Sequence, residues 1–255
     1  MLLPFVWRDI REQYAGSFLG IIWSLVQPLI FILLYWWVFS KILQIRIPIA
    51  NDTADEVPFI AYLLSGLLPW FAFQDGVSKG ANAVITRRDM VKKIHFPIYI
   101  FPLSSVIAAF ISNTIGFWLF LLAFFVWKWQ VSAAQLAAIA VLMILQTSIV
   151  AGLSLLLSAI TVYLRDMTQV IGILLMAVFY SAPILYPLSL IPDNLQFLVY
   201  INPFTTFAEA YHDVVLRDTL PDVTTFLAIL LFAAIVLFLG SYIFKRLEPG
   251  FADVL

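Results

Sequence analysis

Long apolar runs separated by short polar turns set the pattern of the chain, and their lengths predict its elements. Residues 19–40, 57–74, 96–127, 133–160, 167–186 and 223–244 are the apolar runs. Each is of a length suited to crossing roughly 30 Å of hydrocarbon. The third run is longer than one crossing needs, so it tilts or begins in the interface near Pro97 and Pro102. Gln27-Pro28 falls inside the first run, where proline removes a backbone donor and bends the helix. Gly66 and Pro69 break the second, and the prolines at 183, 187 and 192 close the fifth.

Two segments follow other patterns. Along residues 3–18, Leu3, Val6, Trp7, Ile10, Tyr14 and Phe18 share one helical face, and Arg8, Asp9, Arg11, Glu12 and Gly16 the other, with Phe5 as a misfit. Such a helix lies in the interface plane, with Arg8 and Glu12 spaced to pair. Residues 192–216 are too short to cross twice and divide into 193–201 and 203–216. Asn202 supplies an N-cap and Pro203 suits the first turn. Phe204, Phe207, Ala208, Tyr211 and Val215 form a stripe opposite Glu209, His212 and Asp213. This pattern fits a helical hairpin that dips into the membrane and returns. The expected fold is therefore all-α and integral to the membrane: six transmembrane helices, an N-terminal interfacial helix, and a re-entrant helical hairpin before the last span. No internal repeat is visible, so an inverted-repeat transporter is not supported.

Charge gives the spans a direction. Of 255 residues 63% are apolar and 11% charged, far from the balance of a soluble domain. Ser78–Pro97 nevertheless holds five of the fourteen basic residues: Lys79, Arg87, Arg88, Lys92 and Lys93. Burying them at mid-bilayer would cost about 15 kcal/mol on insertion scales, so this stretch lies outside the hydrocarbon, on the cytoplasmic side. Six spans then place ten basic residues inside and Lys41, Arg46, Lys128 and Arg217 outside, with both termini cytoplasmic. The mixed-charge segment before the first run points to a retained helix rather than a signal peptide. Within the basic stretch, residues 82–95 read as a short amphipathic helix at the cytoplasmic surface. Thr86 and Asp89 are spaced as a capping box, and Asp89 and Lys93 as a pair. Docking to a partner and contact with anionic lipid both suit it.

Candidate chemistry is sparse. There is no cysteine, and a net charge of −1 gives no nucleic-acid footprint. No phosphate-binding glycine motif occurs. The two histidines, His95 and His212, fall on opposite faces of the expected topology, which disfavours a metal pair or a His-based triad. Asp75 reads as a solvated end of the second span, and Arg165-Asp166 as a turn. An ion pump would plant ionisable groups at mid-membrane, and this chain plants almost none. Aromatic residues are the other anomaly, with 23 Phe, 10 Tyr and 8 Trp. Some, such as Trp127 and Trp129, suit an interfacial belt. Others cluster at the outer end of span one (Tyr35, Trp36, Trp37, Phe39) and the outer half of span five (Phe179, Tyr180, Tyr186). They suit either the belt or a channel wall, whose rings would offer flat faces to sugar C–H groups.

Five segments resemble one family. RDIREQYAGSFLGIIWSLVQPL at 8–29, FIAYLLSGLLPWFAF at 59–73, KKIHFPIYIFPL at 92–103, YLRDM at 163–167 and INPFTTFAEAYHDVVL at 201–216 are similar, in this order, to the permease subunits of ABC-type polysaccharide exporters. The resemblance implies a homodimer working with two copies of a separate ATPase, in the bacterial cytoplasmic membrane. It implies no cofactor on this chain, with ATP and Mg held by the ATPase. It makes 82–95 the coupling helix, with Arg87, Arg88, Asp89, Lys92, Lys93 and His95 as contacts. It makes Tyr35, Trp36, Phe39, Phe179, Tyr180 and Tyr186 channel residues. It makes 192–216 an external gate carrying Asn202, Pro203, Phe204, Phe207 and Tyr211. The substrate would be a lipid-linked glycan: O-antigen first, then teichoic acid or capsule glycan. Two other functions stay open, an ABC exporter of a lipid or drug and a stand-alone membrane glycan or lipid transferase. The latter would draw on Asp52, Asp55 and Glu56.

Overall fold

A computed structural model describes residues 2–42, 44, 59–93, 97–128 and 132–255. Every regular element among them is helical. In chain order these are α1 (Leu2–Gln13), α2 (Trp23–Tyr35) continued by a wider turn over Trp36–Ile42, α3 (Phe59–Thr86), α4 (Arg88–Lys93), α5 (Ile100–Lys128), α6 (Ala133–Tyr163), α7 (Met167–Ser181), α8 (Gln196–Ile201), α9 (Pro203–Leu216), α10 (Val223–Leu247) and α11 (Phe251–Val254). Among the described residues three helices are long and apolar enough to cross a membrane: Ile100–Val126, Ala133–Tyr163 and Val223–Val254. Trp23–Phe39 and Met167–Ser181 are shorter apolar helices. Together they make this a multi-pass membrane protein.

The bundle is built around α3. It packs along α5 and α6, while α1 lies on α5, α10 on α6, and α9 in the groove between α3 and α6. Small residues permit the close crossings. Gly76 and Gly80, one turn apart on α3, face Val150 and Ser154 of α6, and a Cβ on Gly80 would lie 2.2 Å from the Ser154 hydroxyl. Gly152 of α6 meets Gly240 of α10 so closely that a Cβ on Gly240 would lie 2.0 Å from the Gly152 carbonyl oxygen.

Several boundaries differ from those the sequence predicts. The helix of the second apolar run does not end at 74: α3 runs unbroken to Thr86. Pro69 is accommodated in it, with its carbonyl accepting a bond from Gln146 of α6. Residues 82–95 are therefore not one helix: Asn82–Thr86 end α3, Arg87 forms a turn, and α4 is a separate six-residue helix. The expected capping box at Thr86 is absent, since its hydroxyl donates back to the Asn82 carbonyl, as a residue inside a helix does. α1 stops at Gln13, before a turn in which Gly16 adopts a φ of 77°. α7 stops at Ser181, because Pro183 holds Ala182 extended, at φ −84° and ψ 148°. At the start of α6, Ser132 and Gln135 form a full capping box.

Candidate functional site

Of the aromatics predicted on spans one and five, Tyr35, Phe39 and Phe179 pack against the core that α3 contributes to, while the Trp36 ring lies under Lys41. Tyr35 stacks on Phe39 at 5.9 Å and Phe39 on Phe59 of α3 at 5.3 Å. Phe179 contacts Tyr180 at 5.2 Å, and the Tyr186 hydroxyl donates to the Tyr180 carbonyl. Trp36 and Tyr180 are exposed in this chain, while Tyr35, Phe39, Phe179 and Tyr186 are half-buried. Each ring offers a flat apolar face, and Tyr and Trp add a hydrogen-bonding edge.

One member that sequence reasoning passed over is Trp70. It is 1% exposed and lies 5.4 Å from Phe179, 5.4 Å from Phe73 and 4.9 Å from Phe204. It thus joins the aromatic wall to the α8–α9 hairpin. The signal was a tryptophan directly after a helix-interior proline, which periodicity alone does not distinguish from an interfacial residue.

The hairpin turns at Asn202, beside the middle of α3. Asn202 accepts from the Phe204 amide at 2.9 Å, and its own amide donates to the Val178 carbonyl at 2.7 Å and the Ser181 hydroxyl at 2.9 Å. One side chain therefore caps α9 and ties it to the end of α7. Pro203 occupies the first turn of α9, as expected. Phe204, Phe207 and Tyr211 are buried, with the Tyr211 hydroxyl on Gln146 at 2.8 Å. His212, expected on the polar side, is instead fully buried and stacked on Tyr62 with centroids 4.0 Å apart. The Tyr62 hydroxyl in turn donates to the carbonyls of Pro183 and Tyr186, clamping the bend after α7. All five residues of the predicted stripe are buried, and His212 joins them because α9 is packed against both α3 and α6.

At the opposite end, the basic stretch is divided by burial. Arg88, Asp89 and Lys92 are exposed on α4. Arg87 is turned inward. Its guanidinium bonds Asp9 of α1 at 2.6 Å, and Asp9 also accepts from Ser104 at 2.8 Å and Ser105 at 3.3 Å. Asp9 was expected on a solvated face. Instead its side chain is 7% exposed and that of Arg87 12%. Such a pair holds because the carboxylate is almost completely satisfied by hydrogen bonds. Of α1's expected apolar face only Val6 and Ile10 are buried, against Ala108 of α5. The misfit Phe5 packs edge-on against Phe101 at 5.8 Å. Arg8 and Glu12 pair at 3.3 Å as their spacing suggests. Val91 of α4 sits on a small core with Phe101, Phe244 and Phe251, so α11 lies under α4. The expected contact His95, the side chain of Lys93, and Asp52, Asp55 and Glu56 lie outside the described residues, as do the side chains of Trp127 and Trp129.

A second feature escaped the sequence. Asp75 is not a solvated helix end but lies in the body of α3. It pairs with Lys79 at 2.7 Å and accepts from Asn113 of α5 at 2.9 Å. Asp75 and Asn113 border a cleft of about 290 Å³ between α1, α2, α3 and α5, with Gln27, Gln74 and Ser112 also in its wall. The misreading followed from placing the end of span two at 74.

Comparison with known proteins places these features. The family model described as ABC-2 type transporter matches residues 3–216. An O-antigen export system permease protein RfbA of Myxococcus xanthus is 29% identical over 99% of this chain and 94% of its own length. A protein of the same name from Klebsiella pneumoniae is 26% identical over 97% of this chain and 92% of its own. The polysialic acid transport protein KpsM of Escherichia coli is 20% identical over 95% of this chain and 92% of its own. These likenesses bear out the resemblance carried by the five motifs.

Proposed function

Because the chain belongs to the ABC-2 type transporter family, we propose that it is the channel-forming membrane subunit of an ATP-driven exporter of lipid-linked polysaccharide. O-antigen is the leading substrate, with teichoic acid or capsule glycan next. Likeness over nearly the whole chain to O-antigen export permeases carries the proposal. In this scheme the protein sits in the bacterial cytoplasmic membrane with six spans and both termini cytoplasmic, as a homodimer. Two copies of a separate ATPase bind ATP and Mg beneath it.

The geometry supplies a part for each step. Arg88, Asp89 and Lys92 on α4 present charge to the ATPase, and force entering there reaches α3 through the turn at Arg87 and α1 through Asp9. The glycan slides along the rings of Tyr35, Trp36, Phe39, Phe179 and Tyr180, none of which grips it at a single point. The α8–α9 hairpin dips in from the outer face and acts as the external gate, with Asn202 tied to α7, Phe204 packed on α3, Phe207 beside Phe204, and Tyr211 bonded to Gln146 of α6. The apolar faces of α2, α7 and α10 left exposed in one protomer are covered by lipid and by the second copy.

Deleting the gene in its host tests the proposal. Surface glycan should disappear while lipid-linked glycan accumulates in the cell; unchanged surface glycan overturns it. Replacing Trp36 and Tyr180 together with alanine should cut surface glycan several-fold at unchanged protein level. Full export by that double variant removes the aromatic wall from the mechanism.

A further inference from the structure

We propose that the cleft between α1, α2, α3 and α5 is a sugar-binding subsite that takes a neutral, hydroxyl-rich pyranose of the transported glycan before it meets the aromatic wall. The inference rests on the export reading and adds a location and a chemistry to it.

Four observations support it. First, the cleft holds about 290 Å³, at the lower end of small-ligand pockets and room for about ten waters' share of liquid volume. Second, its polar wall sits among apolar helices, where polar side chains persist only if they meet one another, water or a ligand. Gln27 and Ser112 reach this cleft with no side-chain partner among the described residues. Third, the charge is balanced. Lys79 and Asn113 both approach Oδ2 of Asp75, which leaves Oδ1 to accept from a ligand hydroxyl. A carboxylate already matched by one ammonium offers a diphosphate no net positive charge and needs no cation, whereas carboxylate, amide and hydroxyl together suit vicinal hydroxyls. Fourth, the cleft leads into the aromatic row. Phe31 and Phe71 in its wall lie 5.7 Å apart, and the next rings along α2 and its continuation are Tyr35 and Phe39. Hydroxyl rims would be read first and C–H faces afterwards.

The test uses the permease assembled with its ATPase in lipid nanodiscs. Three probes are compared: a polyprenyl diphosphate bearing a hexose trisaccharide, the same lipid with every sugar hydroxyl methylated, and the bare polyprenyl diphosphate. The readout is the probe concentration that half-maximally stimulates ATP hydrolysis. A site that hydrogen-bonds hydroxyls rejects the analogue lacking them, so the wild-type complex should favour the free trisaccharide over the methylated one by at least about tenfold. The Gln27→Ala, Ser112→Ala double variant should erase that preference by raising the free-sugar value about tenfold, the worth of two hydrogen bonds. If assembly of the double variant is impaired, Ser112→Ala alone should give about threefold. A variant that keeps the wild-type preference overturns the subsite. So does an equal loss for all three probes, which would mark a diphosphate site or a packing defect. A wild-type complex that ignores every glycosylated probe overturns the export reading, and the subsite with it.

Discussion

The buried pair between Asp9 and Arg87 gives the sharpest test of how α1 is held against α3 and α5. Replacing Asp9 with alanine leaves the Arg87 guanidinium, 12% exposed, with the Ser105 hydroxyl at 3.3 Å, the Ala83 carbonyl at 3.2 Å and the Phe101 ring at 5.6 Å, but with no carboxylate partner among the described residues. It also removes the acceptor for Ser104. An uncompensated buried charge costs about 3–5 kcal/mol. For a chain of this size each kcal/mol lowers Tm by about 2–4 °C, so Asp9→Ala should lower it by roughly 6–20 °C. Arg87→Met in the same background removes the stranded charge and keeps most of the side-chain volume, so the double variant should recover at least half of the loss. The assay is thermal unfolding of the purified protein followed by size-exclusion chromatography, on the four members of the cycle. If Asp9→Ala melts within about 2 °C of wild type, or the double variant melts no higher than Asp9→Ala, the pair does not anchor α1. The route proposed from α4 to α1 then loses its physical link.

Three further outcomes follow from the same packing. Gly240→Ala should destabilise by about 1–3 kcal/mol because its Cβ meets backbone atoms of Gly152, whereas Gly172→Ala, with open space around its Cβ, should be neutral or stabilising by up to about 1 kcal/mol; Tm of the two variants checks the contrast. Asn202→Ala should cost about 2–3 kcal/mol, one helix cap plus two side-chain bonds to α7, and should expose the α8–α9 turn to limited proteolysis before the rest of the fold melts. Reversing Arg88 and Lys92 to glutamate should leave Tm unchanged, both being exposed, but abolish co-purification of the ATPase; retained binding and export remove α4 from the coupling role.

The division between what was legible and what was not follows the range of the forces involved. The apolar helices, the cap at Asn202 and the pairing of Arg8 with Glu12 were all readable, because each depends on residues close in sequence or on transfer from water to lipid. The true length of α3 was not readable: local signals at Gly66, Pro69 and the charges after Gln74 argue for an end. Contacts with α5 and α6 outweigh them, through the Gly76–Gly80 crossing, the Gln146 bond to the Pro69 carbonyl, and the Asn113 bond to Asp75. The same cause explains Asp9, Arg87 and His212. On a helical wheel each belongs to a polar face, and only a partner from a distant part of the chain turns it inward.

Hydrophobic length and charge bias act segment by segment, so the order of residues was enough to make this a multi-pass helical membrane protein of a recognisable transporter type. Which side chains face one another is a property of the packed bundle. The polar cleft at Asp75 exists only because α1, α2, α3 and α5 converge there, and no periodicity within one helix records what another will bring to it.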